Sequence, residues 1–103
     1  MRFDWDEAKR EANLRKHGVD FAIVERFAFD DAAIGADLRR DYGEPREIAL
    51  GRIEERVHVL VLTRRGDAIR VISLRRANAR EVATYEAVKD EAQTHQSGGL
   101  GRG

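Results

Sequence analysis

The second half of the chain alternates in the way that β-strands do. Residues 46–53 alternate in steps of two, which predicts a strand with one buried face. Residues 57–63 are apolar at almost every position apart from His58, and residues 69–74 follow a similar pattern. Such runs are typical of central strands that are covered on both sides. We therefore expect three strands here, the last two in the middle of a sheet.

Gly66 and Asp67 separate the second and third of these strands and predict a hairpin with a two-residue loop. That loop fixes the register of the two strands and places Arg75 and Arg76 on opposite faces. A turn centred on Arg65 and Gly66 would instead shift every pair by one residue. The pairs predicted for the first alternative are Val57 with Arg76, His58 with Arg75, Leu60 with Ser73, Leu62 with Val71, and Thr63 with Arg70.

The N-terminal region has the spacing of an amphipathic helix. Asp4 and Glu7 form a capping pattern and Gly18 is a typical stop, so we predict a helix over residues 5–17. Trp5, Ala8 and Ala12 recur at helical spacing on one side of it. A polar stripe runs beside them, and an exposed helix face is the ordinary interpretation of such a stripe. The stripe comprises Lys9, Asn13 and Lys16, with His17 at its edge.

Two further helices are expected, one on each side of the strands. Asp20 caps a second segment, residues 21–28, that is apolar over most of its circumference and predicts a buried helix. Residues 33–40 fit either a strand weakened by Gly35 or a loop. Asn78 and Glu81 cap a last helix from Ala79 to about Gln93. Residues 1–93 therefore form one domain, and the Gly-rich residues 94–103 are expected to be a mobile tail.

Composition limits the class of protein. The chain has 103 residues, of which 42% are hydrophobic and 37% charged, as in an ordinary globular domain. It has no cysteine, which excludes disulfides and thiolate metal sites and fits a reducing cytoplasm. No stretch resembles a membrane span or a signal peptide, so we expect a cytoplasmic protein. The net charge of zero argues against binding nucleic acid through a broadly basic surface.

Positive charge is nevertheless concentrated in residues 60–80. Six arginines and one aspartate give this segment a local charge of about +5, which indicates an anionic partner. Several arginines that converge can bind a phosphodiester and stabilise its transition state. Surface ion pairs with nearby acids explain the same cluster about equally well. The arginines are Arg64, Arg65, Arg70, Arg75, Arg76 and Arg80.

Several familiar kinds of site are absent from the sequence. The three histidines, His17, His58 and His95, are far apart and do not form a zinc motif. Ser73 lies within a predicted strand and lacks the glycines of a nucleophile elbow. No cofactor or metal is therefore expected.

Three segments together resemble the BrnT toxins, a branch of the RelE-like ribonucleases of type II toxin–antitoxin systems. They are FDWDEAKREANLRKHGVDF at 3–21, REIALGR at 46–52 and RGDAIRVISLRRANAREVATYE at 65–86. The pairing of WDxxKxxxNxxKHGV with IRVISxRRA is specific. The chain departs from the family pattern at Asp31, Arg64 and Leu74, which leaves the role of Arg64 open.

The resemblance implies an α+β RelE-like fold. Two N-terminal helices would pack on a twisted antiparallel sheet of three to four strands, closed by a C-terminal helix. It also implies metal-independent cleavage of RNA and inhibition of translation. The implied partner is a cognate antitoxin with a ribbon-helix-helix DNA-binding domain, with which the toxin represses its own operon. The alternative is a module of the same fold that binds RNA or the antitoxin without catalysis.

A ribonuclease without a metal must deprotonate a ribose 2′-hydroxyl, stabilise the phosphorane and protonate the leaving oxygen. His17 has the most suitable intrinsic pKa, although a histidine before glycine is as often a partner of the last helix carbonyls. His58 is a second candidate, for which a core histidine is the commoner explanation. The expected catalytic residues are Lys16, His17, Arg65, Arg75 and Arg76. The expected substrate-binding residues are Lys9, Arg70, Arg80 and Tyr85, the last of which fits core packing equally well.

Overall fold

The described part of the chain forms five strands and two α-helices. The computed structural model describes the backbone of residues 1–101 and the side chains of residues 1–92. The strands are β1 (Arg2–Trp5), β2 (Ala33–Ala36), β3 (Glu47–Ile53), β4 (Arg56–Arg65) and β5 (Ala68–Arg76); the helices are α1 (Glu7–His17) and α2 (Ala79–Gly101). Two 3₁₀ helices, Phe21–Arg26 and Phe29–Asp31, lie between α1 and β2. The predicted mobile tail lies outside the residues whose side chains are described.

The sheet is mixed, and this corrects the prediction of an antiparallel sheet of three to four strands. Its order is β1-β5-β4-β3-β2, and β1 runs parallel to β5 while the other pairs are antiparallel. The N-terminal residues form an edge strand because Phe3 and Trp5 alternate with polar residues, and this places both aromatic side chains against the core. β2 decides the open choice at residues 33–40, where a four-residue strand precedes a loop.

The prediction of two N-terminal α-helices is also wrong, because only the first of the two predicted segments, α1, forms an α-helix. It starts later than predicted, since Asp6 and not Asp4 is its cap: the Asp6 carboxylate accepts from the backbone N–H of Ala8 at 2.8 Å. Residues 21–26 form a 3₁₀ helix, in which side chains repeat every three residues. That period buries Phe21, Val24 and Phe27 together, and none is more than 5% exposed.

The two faces of the sheet are covered by different elements. On the first, which we call the core face, α1 and the first 3₁₀ helix cover a cluster that includes Leu60, Leu62 and Leu74. On the second, which we call the α2 face, the side chains of Val57, Val59 and Val61 are buried, and α2 packs over β2 and β3. A sheet covered on both sides explains why β4 is apolar along most of its length.

The β4–β5 hairpin has the predicted loop but only part of the predicted register. Gly66 has φ of +61°, a conformation that favours glycine, and Leu62 pairs with Val71 and Thr63 with Arg70, as predicted. Ile72 is then an extra residue in β5, a β-bulge. Beyond it every predicted pair is wrong by one residue, so that His58 pairs with Arg76, Val59 with Arg75 and Leu60 with Leu74.

Candidate functional site

A groove runs between α1 and β5, beyond the point where β1 ends. It is anchored by Asn13, a buried residue whose amide donates to the carbonyl of Leu74 at 2.7 Å and to that of Val19 at 3.0 Å, and whose oxygen accepts from Leu74 N–H at 3.3 Å. The two bonds to Leu74 satisfy backbone groups at the free edge of β5, which would otherwise be costly to bury. They therefore hold α1 beside the bulge.

The α1–β5 groove has a volume of about 230 Å³ and is largely cationic on its helical side. Residues at steps of three and four on a helix share one face, and so Lys9, Asn13 and Lys16 all line it. The extra residue, Ile72, and its neighbour Ser73 form the strand side. The complete lining is Lys9, Ala12, Asn13, Lys16, His17, Ile72 and Ser73.

His17 stands at the end of the groove as a free side chain. Gly18, with φ of +71°, caps α1 through its own N–H, which donates to Leu14 at 2.8 Å, and among the described residues the His17 ring makes no hydrogen bond. The capping alternative is therefore not realised. Burial, followed by the charges of Lys16 and Arg75, lowers the pKa of His17 from 6.5. The imidazole is neutral at pH 7 and can accept a proton.

Arg75 follows the bulge on the α2 face, close enough to His17 for its charge to affect that ring. Its two terminal nitrogens donate to Glu81 at 2.8 and 2.7 Å, and this contact raises the pKa of the guanidinium. Glu81 is itself held at the start of α2, because it accepts from Asn78 N–H at 2.9 Å. The arginine fork is thus oriented by a helix cap while a third of its side chain stays exposed.

A family model for "Ribonuclease toxin, BrnT, of type II toxin-antitoxin system" matches residues 5–81, which include α1, the bulge and Arg75. The chain belongs to this family. BrnT proteins are ribonuclease toxins, so the family supplies RNA as the class of substrate and an antitoxin as the partner. A search of curated proteins found no match.

Of the residues predicted for a BrnT site, four meet at the groove and five lie elsewhere. Lys9, Lys16 and His17 line it, and Arg75 is beside them. Arg76 projects from the opposite face of β5, where it pairs with His58. Arg65 lies by the hairpin loop, 3.7 Å from Glu44. The others are Arg70, which is paired with Asp4 at 3.3 Å, Arg80, in the first turn of α2, and Tyr85.

Tyr85 occupies a different cleft, between α2 and the second 3₁₀ helix. The residue is 1% exposed, and its hydroxyl donates to Asp31 at 2.7 Å, while the guanidinium of Arg52 lies 5.6 Å from the ring centre. Burial and the Asp31 carboxylate raise the pKa of this phenol. The position is that of a core residue that fastens α2 to the sheet, which is the alternative to substrate binding that the sequence left open.

Sequence reasoning missed two features of the α1–β5 groove and its surroundings. The first is the bulge, which brings Ile72 and Ser73 to the groove, and the alternation of β5 contains no mark of it. The second is Arg39, whose charge reaches Arg75 from the loop after β2. Arg39 is fixed by two contacts of 2.8 Å with the buried Asp37, a pairing that lowers the pKa of Asp37. The short spacing of these two residues was a signal available in the sequence.

The groove suits an anion and not a cation. Two lysines, Arg75 and Arg39 contribute positive charge around it, and the acids nearby are engaged with the arginines. Within residues 1–92 no group of three or more His, Asp or Glu side chains is arranged to hold a metal ion. In the same part of the chain no helix is long and apolar enough to cross a membrane.

Proposed function

We propose that the chain is an endoribonuclease toxin that cleaves RNA in the α1–β5 groove without a metal ion and thereby inhibits translation. One observation carries the proposal: α1 brings Lys9, Lys16 and a neutral histidine to the bulge of β5, beside a pre-oriented arginine. A base, a phosphate-binding fork and additional positive charge are the groups that RNA cleavage requires.

His17 acts as the general base in this proposal. It takes the proton of the 2′-hydroxyl, whose oxygen forms a bond to phosphorus while the bond from phosphorus to the 5′-oxygen breaks. The products are a 2′,3′-cyclic phosphate and a 5′-hydroxyl. The leaving oxygen receives its proton from one of the two lysine ammonium groups. A neutral imidazole at pH 7 supports this role, because a protonated one has no lone pair to accept the proton.

Arg75 stabilises the charge that develops on the phosphorane. Glu81 occupies two of its donor groups and a backbone carbonyl shares one of them, so the guanidinium retains N–H groups for a phosphate oxygen. Because the fork is held in place before RNA binds, little reorganisation is needed when charge develops. Lys9 and Lys16 add positive charge from the other wall of the groove.

The charge of the groove supports metal independence, since a divalent cation would be repelled by Lys9 and Lys16, which line it, and by Arg75 beside them. Cleavage should therefore persist at full rate in excess EDTA. Loss of cleavage in EDTA, with recovery on addition of magnesium, would contradict this part of the proposal.

The test of the site is RNA cleavage by purified Arg75→Ala and His17→Ala variants. Losing a general base should lower the rate by about 100-fold or more. Losing a charged hydrogen bond to the phosphorane should cost about 2 kcal/mol, or about 30-fold in rate. Arg2→Ala is the matched control, because Arg2 is an exposed arginine on β1, far along the sheet from the groove. Folded variants that cleave RNA as the control does would place the site elsewhere.

We also propose that a cognate antitoxin with a ribbon-helix-helix domain neutralises the toxin and that the two together repress their operon. The family supports an antitoxin, and this class of antitoxin is the one that the resemblance implies. Co-purification of the two proteins, followed by binding of the complex to operator DNA, tests it. A purified chain that binds the antitoxin but cuts no RNA would replace the enzyme by a binding module.

A further inference from the structure

A second cationic cavity lies on the core face, at the end of the sheet where β3 turns into β4. It has a volume of about 390 Å³, and three arginines line it: Arg26, Arg56 and Arg76. Glu54 is the one acid among the lining residues, and His58 lies among them. We call it the Arg76 cleft. Its size is within the range of pockets that hold small ligands, and its charge is that of an anion site.

The sheet itself builds this cleft. Arg76 and His58 pair across β5 and β4, and Arg56 pairs with Ile53 across β4 and β3, so all of these side chains lie on the core face. Arg26 is brought to the same place because it ends the first 3₁₀ helix, which packs on that face. Arginines from three separate segments, the first 3₁₀ helix, β4 and β5, thus line one cleft.

Arg56 and Arg76 differ from the other arginines of their strands. Arg64, Arg65, Arg70 and Arg75 each form an ion pair with a carboxylate. Within residues 1–92, the side chains of Arg56 and Arg76 form no ion pair with a carboxylate. In the cleft only Arg26 is paired, with Glu54 at 3.2 Å. The cleft therefore retains a charge of about +2 that nothing in the described chain neutralises.

His58 forms the buried side of the cleft and is only 5% exposed. Its Nδ1 lies 2.9 Å from the carbonyl of Arg56, to which it donates in the neutral ring. This bond fixes the ring and leaves Nε2 without a hydrogen-bond partner among the described residues. No buried side-chain nitrogen or oxygen in those residues lacks a partner, so Nε2 reaches the surface of the cleft. A fixed polar group thus lies beneath the arginines.

We propose that the Arg76 cleft is a second phosphate-binding site, which holds the RNA strand outside the α1–β5 groove. This inference rests on the proposed function. Arg75 and Arg76 are consecutive and project from opposite faces, so the groove and the cleft lie at the same end of β5. An RNA strand whose reacting phosphate lies at Arg75 therefore has an adjoining phosphate-binding surface at Arg76, on the core face of the sheet.

The lining of the cleft favours RNA over the antitoxin as its occupant. The centres of protein–protein interfaces are apolar and poor in charge. The large hydrophobic side chains exposed in the described chain, Met1, Leu14, Ile34, Leu38 and Val88, are absent from the cleft. The unpaired guanidinium groups of Arg56 and Arg76 donate hydrogen bonds and match the oxygens of a phosphodiester instead.

The test is binding of a labelled oligouridylate with 2′-O-methyl sugars, about 10 nucleotides long, to the wild type and to Arg56→Ala, Arg76→Ala and the double variant. This probe has no free 2′-hydroxyl, so it reports binding whether or not the protein cleaves RNA. Each substitution should weaken binding about 10-fold and lower the salt dependence of log Kd by about 0.7. Arg2→Ala, which removes one exposed arginine from β1, is the matched control.

The kinetics of cleavage of unmodified RNA distinguish the role of the Arg76 cleft from that of the α1–β5 groove. The cleft variants should raise KM more than they lower kcat, whereas His17→Ala should lower kcat. If the wild-type protein cuts no RNA but the cleft variants still bind the 2′-O-methyl probe more weakly, the catalytic proposal fails. The proposal of a phosphate-binding site in the Arg76 cleft is then upheld. Folded cleft variants that bind the probe as Arg2→Ala does would overturn the inference. Cleft variants that bind the probe normally but no longer bind the antitoxin would also overturn it, because they would assign the cleft to that partner.

Discussion

His17 is surrounded by features that favour its neutral form. Partial burial lowers its pKa first, and the charges of Lys16 and Arg75 lower it further. A base with this pKa is already deprotonated at pH 7, so the rate should rise with pH only in the acid range and level off above about 6.5. At the scale of the residue, the cations that would contact the phosphate, Lys16 and Arg75, also lower the pKa of the histidine beside them.

Lys16→Met tests this coupling. Removing the charge of Lys16 while keeping most of its apolar stem should raise the pKa of His17 toward 6.5, and the acid limb of the pH–rate profile should move with it. The pKa is measured by NMR titration of the ring and the profile from kcat/KM. Arg15→Met, a neighbouring exposed cation that does not line the groove, is the control. A histidine whose titration is the same in both variants would contradict the coupling.

At the scale of the element, the sequence predicts those features that short-range rules determine. The helical spacing of Lys9, Asn13 and Lys16 correctly places them on one face, and the two-residue loop correctly fixes the pairs next to it. The bulge at Ile72 has no such local cause. Asn13 was assigned to a polar stripe, yet it is buried because its partner Leu74 lies 61 residues away along the chain. Contacts over that distance leave no periodic signal.

The remaining errors in the predicted fold concern elements that are too short for the periodicity of the sequence to show whether they are helices or strands. β1 has four residues, and its Trp5 also fits the start of a helix. Phe21, Val24 and Phe27 fit a period of 3.0 as well as one of 3.6. The tertiary structure decides the matter, because the N–H of Ala28 donates to the carbonyl of Arg52 at 3.0 Å and draws the chain onto β3.

Gly51 in β3 is a second element-scale feature, where the backbone passes close to the Phe27 ring. A Cβ at Gly51 would lie 2.6 Å from one ring atom and 3.1 Å from Ala32. Because Phe27 is buried, the ring has little room to move, and Gly51→Ala should cost about 1–3 kcal/mol of the free energy of unfolding. Gly35→Ala in β2 is the control, since a Cβ there meets no atom within 4 Å. Equal urea midpoints for the two variants would disprove the close approach.

At the scale of the whole molecule, net neutrality conceals a divided charge distribution. Acids of the strands and loops are engaged with arginines at several points, while the groove and the Arg76 cleft keep unneutralised cations. A neutral chain can therefore present two anion sites without the general basic surface of many nucleic-acid-binding proteins. A net charge of zero argues against RNA binding only as an average over the whole chain. It does not describe the groove and the Arg76 cleft, which are locally positive.

The two lowered histidine pKa values predict loss of stability in mild acid. Burial chiefly lowers the pKa of both His17 and His58 from 6.5, so the unfolded chain binds protons at a higher pH than the folded chain. The free energy of unfolding should therefore fall as the pH decreases below about 6.5. Urea unfolding from about pH 8 to about pH 5 measures it. His58→Gln should reduce this dependence, and a wild-type stability that is level over the range would contradict it.

The bulge at Ile72 decides which of two neighbouring arginines faces which side. Without it, His58 would stand opposite Arg75 and the two arginines would exchange faces. Because both positions carry the same residue type, a slip of one residue in this half of β5 would still leave a guanidinium on each face. The doubled arginine thus makes the placement of charge tolerant of a register error, whereas the orientation of the fork by Glu81 depends on the native register.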